Sequence, residues 1–150
     1  MNLAELYKNE LDRFGEHVYL IFEEKEITNL EMRQTSLRLG NALKELGVKK
    51  GDRVIIQMPN CPQVLQSFHA VYAIGAVVVP INFLVGDDET AYIYQDTGAE
   101  TIISSLDFLP KIEACRKHAP AIKNIILINT DVPSHTLAYG KLIESVTDEL

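Results

Sequence analysis

The sequence has no tryptophan, only two cysteines and 7% aromatic residues. Cys61 and Cys115 stand far apart, in neither a CxxC pair nor a zinc-ligand spacing, which excludes a disulfide framework and a ribbon-type zinc site. Both are read as reduced, structural thiols. Cys61 falls in the first turn of a predicted helix, a position where a thiol pKa can drop, yet a small residue of the capping region is the reading preferred over a nucleophile. The few aromatics are scattered, so no base-stacking platform is expected. Basic residues form no stripe beyond Lys49-Lys50, and the net charge of −7 would repel a phosphate backbone, so nucleic acid is excluded as a partner. No apolar run approaches the roughly 20 residues that span a bilayer. The opening Met1-Asn2-Leu3-Ala4-Glu5-Leu6 lacks the basic flank and apolar stretch of a secretory leader, and a cytoplasmic location is expected by default. Both standard phosphate cradles, G-x-G-x-x-G and G-x-x-x-x-G-K-S/T, are missing.

What is present is an ordinary globular composition, 47% hydrophobic and 23% charged over 150 residues. That length suggests one α/β unit over residues 1–150. The most legible stretch is Gly51 to Asn82. Val54 to Met58 is an apolar run of strand length, stopped by Pro59 and Asn60, with Asn60 able to cap the helix that follows. Val64, Leu65, Phe68, Val71 and Tyr72 recur at helical spacing, and Gly75 sits where a left-handed residue would end the helix. Ala76 to Val79, apolar on both faces, is expected in the middle of a parallel sheet.

The remaining segments repeat the alternation. Leu3, Leu6, Tyr7, Leu11 and Phe14 predict an amphipathic helix closed by Gly15. Val18 to Phe22 and Ile27-Thr28 predict a hairpin around Glu23-Glu24-Lys25-Glu26. Thr28 with Glu31 is a capping box, Ile27 with Met32 a hydrophobic staple, and Gly47 the stop of the helix they start. Gly86-Asp87-Asp88-Glu89 opens a further helix, where carboxylates favour the positive end of the dipole, and Gly98 ends it. Thr101 to Ser104 and Ile125 to Ile128 are strands, and Asp107 caps a helix from Phe108 to His118. A final helix is expected over about Leu137 to Ser145, with Val146 to Leu150 a polar end. The pattern predicts a doubly wound, mostly parallel sheet with helices on both faces, plus an N-terminal helix and β-hairpin.

Three boxes carry a family resemblance: Ile27-Thr28-Asn29-Leu30-Glu31-Met32, then Gly51-Asp52-Arg53-Val54 before Met58-Pro59-Asn60, and Ala73-Ile74-Gly75-Ala76-Val77-Val78-Val79-Pro80-Ile81-Asn82. In order and spacing they resemble the N-terminal part of the AMP-forming adenylating enzymes, the superfamily of acyl-CoA synthetases, luciferases and peptide-synthetase adenylation domains. The likeness runs from about Leu3 to Leu142. Asn29 stands where the family usually has an aromatic residue, and Phe83 where it usually has proline. The resemblance implies a parent enzyme that uses ATP, Mg and CoA to convert a carboxylate, expected to be a fatty acid, to an acyl-adenylate and then an acyl-CoA. The family's Ser/Thr/Gly-rich phosphate loop, nucleotide-contacting segments and catalytic lysine have no counterpart here, so the chain reads as a scaffold piece that is inactive alone.

Accordingly no catalytic, cofactor-binding or metal residue is nominated. His17, His69, His118 and His135 have no Ser, Cys or carboxylate at an informative sequence spacing and are read as structural. Asp96 and Glu100 are explained by a helix end and a strand start. Pro59-Asn60, at the C-terminal end of a strand, is where an open α/β sheet would place a ligand. The expected partners are the remainder of the parent enzyme and, through exposed apolar surface, further copies of the chain. The competing function is a freestanding α/β binding or interaction module without catalysis. A flavodoxin- or receiver-like nucleotide binder shares the alternation but lacks the paired acids at a first strand end.

Overall fold

The chain, in a computed structural model that describes residues 3–149, begins with α1 (Leu3–Phe14) and a hairpin of β1 (Val18–Phe22) and β2 (Lys25–Thr28). Gly15 ends α1 at φ +72°, its N–H donating to Leu11 O. The hairpin turn is tighter than expected, only Glu23-Glu24, and both residues take positive φ (48° and 66°). A two-residue turn of that hand matches the twist of its strands, but asparagine and glycine usually occupy it. Here two glutamates carry the strain.

The capping box forms as read. Thr28 Oγ1 accepts from Glu31 N at 3.1 Å, and Glu31 Oε2 accepts from Thr28 N at 3.0 Å, starting α2 (Asn29–Glu45). Ile27 and Met32 are both buried beside it, as the staple requires. β3 (Arg53–Gln57) leads to α3 (Pro62–Ala73). Asn60 does not cap this helix. Cys61 takes the N-cap position with extended backbone and no side-chain cap bond, because Pro62 at the first helical position defines where the helix starts. Gly75 then turns the chain at φ +74°, where an added Cβ would also crowd Lys50 Cγ at 3.1 Å.

β4 (Val77–Pro80), α4 (Asp87–Thr97) and β5 (Thr101–Ser104) follow. Asp107 does not cap the next helix. Ser105 precedes a 3-10 turn (Leu106–Phe108) that runs into α5 (Leu109–Cys115), and the orphan N–H of Leu106 donates to Asn129 Oδ1 at 2.7 Å, from a residue beyond the next strand. A second 3-10 turn (Arg116–His118) precedes β6 (Asn124–Leu127). The expected final helix starts two residues later, because Leu137 and Ala138 pair in parallel with Ile126 and Leu127 as β7 (Leu137–Ala138) before α6 (Tyr139–Glu144) begins. Asn41 Nδ2 pins the end of the chain by donating to Thr147 O and Glu149 O. Leu150, part of the expected polar end, lies outside the described residues.

β3 to β7 form one five-stranded parallel sheet in the order β4-β3-β5-β6-β7, separate from the β1-β2 hairpin. The chain therefore leaves β3 in one direction and returns past it to β5, which is double winding. Alternation along β3 shows the two faces: Val54 and Ile56 pack with Leu39, Leu43 and Val71 of α2 and α3, while Ile55 packs with Tyr94 and Ile112 of α4 and α5. Ile55, Ile102, Ile103 and Ile126 are wholly buried, and each such side chain is worth about 1.5–3 kcal/mol. One expectation fails here. Val77 to Pro80 is not central: it is the edge strand, with Val77 46% exposed. A two-sided apolar run reports potential burial, and among the described residues no strand lies beyond it to pair. No helix of the described residues is long and apolar enough to cross a membrane.

Candidate functional site

In a doubly wound sheet the C-terminal strand ends leave crevices where loops diverge. Two cavities open there, one on each flank of the first half of α3. The groove of about 270 Å³ on the β4 side is walled by Ile56, Met58, Val64, Phe68, Ile81 and Phe83, with Asn60 and Asn82 at its mouth. This is where the sequence placed its weak ligand site. Asn82 is already engaged, its Oδ1 accepting from Leu84 N at 2.9 Å to hold the turn after β4, and Phe83 packs edge-on against Phe108. The groove contains no ionisable group apart from what a ligand would bring. It can bind apolar matter and offer an amide, but it cannot move a proton.

The cavity on the other flank is larger, about 510 Å³, and lies between α3, the segment after β6 and α6. Its wall carries Gln63, Gln66, Asn129, Lys141 and Glu144. At its base the buried Tyr139 hydroxyl donates to Gln66 Oε1 at 2.8 Å. Burial, more than any neighbour, holds the Tyr139 phenol in its neutral form, pushing its pKa up. Sequence reasoning missed this pair, since 73 residues separate its members. The only signal was a glutamine set into the apolar pattern of α3.

Other buried polar groups sit close to the sheet. Gln57 at the end of β3 is wholly buried, accepts from Tyr94 Oη through its side chain and from Ser104 Oγ through its backbone carbonyl, and leaves its Nε2 without a partner. His69 is buried against α1, its ring centroid 3.6 Å from that of Tyr7, with Tyr19 edge-on at 6.0 Å. Desolvation pushes its pKa down to about 4, and Tyr7 is pushed up to about 12, first by burial and then by the neighbouring Tyr19. His69 is thus a neutral core histidine at the seam of two elements.

Neither thiol is activated. Burial pushes Cys61 up, outweighing the N–H groups of Val64 and Gln63 that favour its thiolate, so the helix start does not lower it. Cys115 is also pushed up, by burial first and then by the charge of Asp87. The structure does pair two histidines with carboxylates across long sequence gaps or turns: His17 Nε2 lies 3.0 Å from Glu10, and His135 Nε2 lies 3.1 Å from Glu113, which also holds Arg116. All four partners are at the surface or half-buried, and no nucleophile adjoins them. Asp87 opens α4 as read and pairs with Lys111 at 3.4 Å, while Glu100 pairs with Lys123. Among the described residues no group of three His, Cys, Asp or Glu side chains could hold a metal ion.

With no catalytic constellation at either cavity, relatedness decides the class. The sequence profile of the AMP-binding enzymes matches residues 7–147. The chain belongs to the AMP-binding enzyme family. Over 139 residues, 89% of its length, this AMP-binding chain is 30% identical to crotonobetaine/carnitine--CoA ligase of Salmonella paratyphi A. It spans about 27% of the length of the curated relatives it matches. Among solved structures it superposes over its whole length on 29% of the anthranilate CoA ligase AuaEII, a complex with anthranoyl-AMP, with TM-score 0.95 and 27% identity. The inhibitor-bound N-terminal domain of FACL13 from Mycobacterium tuberculosis matches 99% of the chain with TM-score 0.84, and at 22% identity it shares the fold alone.

Proposed function

We propose that residues 1–150 are a single α/β subdomain, the N-terminal scaffold of a CoA ligase that joins a carboxylate to AMP from ATP and then transfers the acyl group to CoA. The observation that carries this reading is the family match over residues 7–147, joined to full-length superposition on less than a third of a CoA ligase. A fatty acid is the carboxylate proposed for the parent, and the cytoplasm its location.

The donor set of this chain does not fit ATP and Mg. Adenylation needs an anion clamp for a triphosphate and a cation at the reacting carboxylate, because charge stabilisation dominates such transfers. The strand ends offer amides and one lysine, and the described residues hold no acidic metal shell. No step of the reaction is therefore assigned to these residues. Their role is to carry the sheet, and the remainder of the parent is the proposed partner.

Pyrophosphate exchange into ATP, measured with the purified chain and a panel of fatty, aryl and betaine-type carboxylates, is expected to be absent, and calorimetry should detect no micromolar binding of ATP-magnesium. Carboxylate-dependent exchange would overturn the scaffold reading. A Ser/Thr/Gly-rich segment ending in Gly-Lys or Pro-Lys-Gly, encoded within a few tens of codons after Leu150, would support it.

A further inference from the structure

We propose that the cavity between α3 and α6 binds the oxyanion group, carboxylate or phosphate, of a small molecule. The inference does not depend on the CoA-ligase reading; it rests on how two amides are held. Gln66 is 9% exposed, and its Oε1 is occupied by the Tyr139 hydroxyl, itself 4% exposed. The carbonyl end of the amide is thereby tied to the base of the cavity, and Nε2 makes no hydrogen bond among the described residues. Asn129, which also lines the cavity, repeats the arrangement, with its Oδ1 accepting from Leu106 N and its Nδ2 making no hydrogen bond among the described residues. Each of these side-chain amides thus has one hydrogen bond on its oxygen and both N–H groups unspent, so donors are what they chiefly offer.

Lys141, which also lines the cavity, adds an exposed side chain with no ion-pair partner among the described residues. Unspent donors and a cation lining one cavity are complementary to an acceptor-only group, since an ionised carboxylate or phosphate accepts and never donates at its charged oxygens. Glu144 also lines the cavity and offsets the lysine charge. Net attraction is small, so the amides rather than a field must select the ligand, and a highly charged triphosphate is disfavoured. At about 510 Å³ the cavity exceeds a bare anion and admits a small organic acid or phosphate ester.

The test is a titration of the isotope-labelled chain followed by NMR, with acetate and inorganic phosphate in separate series at constant ionic strength and chloride as the control. Saturable shifts at the Gln66 and Asn129 side-chain amides are expected at millimolar concentration. Lys141→Gln and Gln66→Leu should each weaken binding about tenfold, the scale of one charge-assisted hydrogen bond. Tighter binding of phosphate identifies a phosphate ester as the ligand class, and tighter binding of acetate a carboxylic acid. Shifts that fail to saturate, that chloride reproduces, or that persist unchanged in the variants overturn the proposal. Gln66→Leu strands the Tyr139 hydroxyl and can unfold the chain; Lys141 is exposed, so Lys141→Gln then decides alone.

Discussion

The five-stranded sheet and the N-terminal unit of α1 and its hairpin draw on similar residues and use them in opposite ways. Within the sheet, Ile55, Ile102, Ile103, Ile125 and Ile126 are at most 1% exposed, covered from both faces by helices. In the N-terminal unit, Leu3, Leu6, Phe14, Val18 and Ile21 are each 44% exposed or more. Charge follows the same division: residues 3–28 carry seven acidic and three basic side chains, so four of the seven net negative charges lie there. What joins the unit to the sheet is a seam. Asn29 exchanges backbone and side-chain hydrogen bonds with His17 and Gly15, and Tyr7 lies against His69 of α3. The lesson is that a hydrophobic pattern specifies a face, while the element that covers it decides how much stability the face contributes.

The largest expected effect tests the sheet side of this contrast. Ile103→Ala removes a wholly buried side chain from the closed core, and urea unfolding should show a loss of about 2–5 kcal/mol. Leu6→Ala, at 45% exposure in the N-terminal unit, should cost under about 0.5 kcal/mol. Equal losses would break the comparison.

The next effect lies at the seam and depends on pH. The folded His69 has its pKa lowered to about 4 from the ordinary 6.5, so between these values the unfolded chain binds the extra proton. Stability should be undiminished above about pH 6.5, fall as the pH drops through this window, and level off below about 4, by on the order of 2 kcal/mol. Tyr7 and Glu10 of α1, Tyr19 of β1 and Arg33 of α2 line the same spot and set the local field. His69→Phe should abolish this part of the slope. Hydrogen exchange sharpens the point: amides of α1 and the hairpin should lose protection at acid pH before those of β3 and β5.

Smaller effects belong to the two ends of the hairpin. Thr28→Ala removes the cap of α2 and should cost about 1 kcal/mol in thermal or chemical unfolding. Glu23→Asn combined with Glu24→Gly relieves two positive-φ glutamates and should stabilise the chain by about 1 kcal/mol. No gain from the double variant would show that the hairpin is already open in the folded ensemble.

Several features were legible because their causes lie within a turn or two of chain. The capping box at Thr28 and Glu31, the left-handed stops at Gly47, Gly75 and Gly98, and the apolar strands around Ile55, Ile102 and Ile126 each follow from local backbone sterics or from short continuous apolar runs. The double winding was legible for the same reason, since strands and helices alternate. Boundaries failed where a neighbour intervened: Pro62 moved the cap from Asn60 to Cys61, and Ile126 drew Leu137 out of the last helix into the sheet.

By itself, then, the sequence determined the elements, their order and the family to which they belong, because helix caps, turn sterics and hydrophobic period act over a few residues. Only the tertiary structure decided which strand stands at the edge, that His69 is a neutral residue at a seam, and that Gln66 and Asn129 line one cavity. Those outcomes depend on partners 23 to 73 residues away, such as Leu106 for Asn129 and Tyr139 for Gln66. A local pattern holds no record of what will cover a face, or of which buried polar atom will find its partner, until the chain has closed around it.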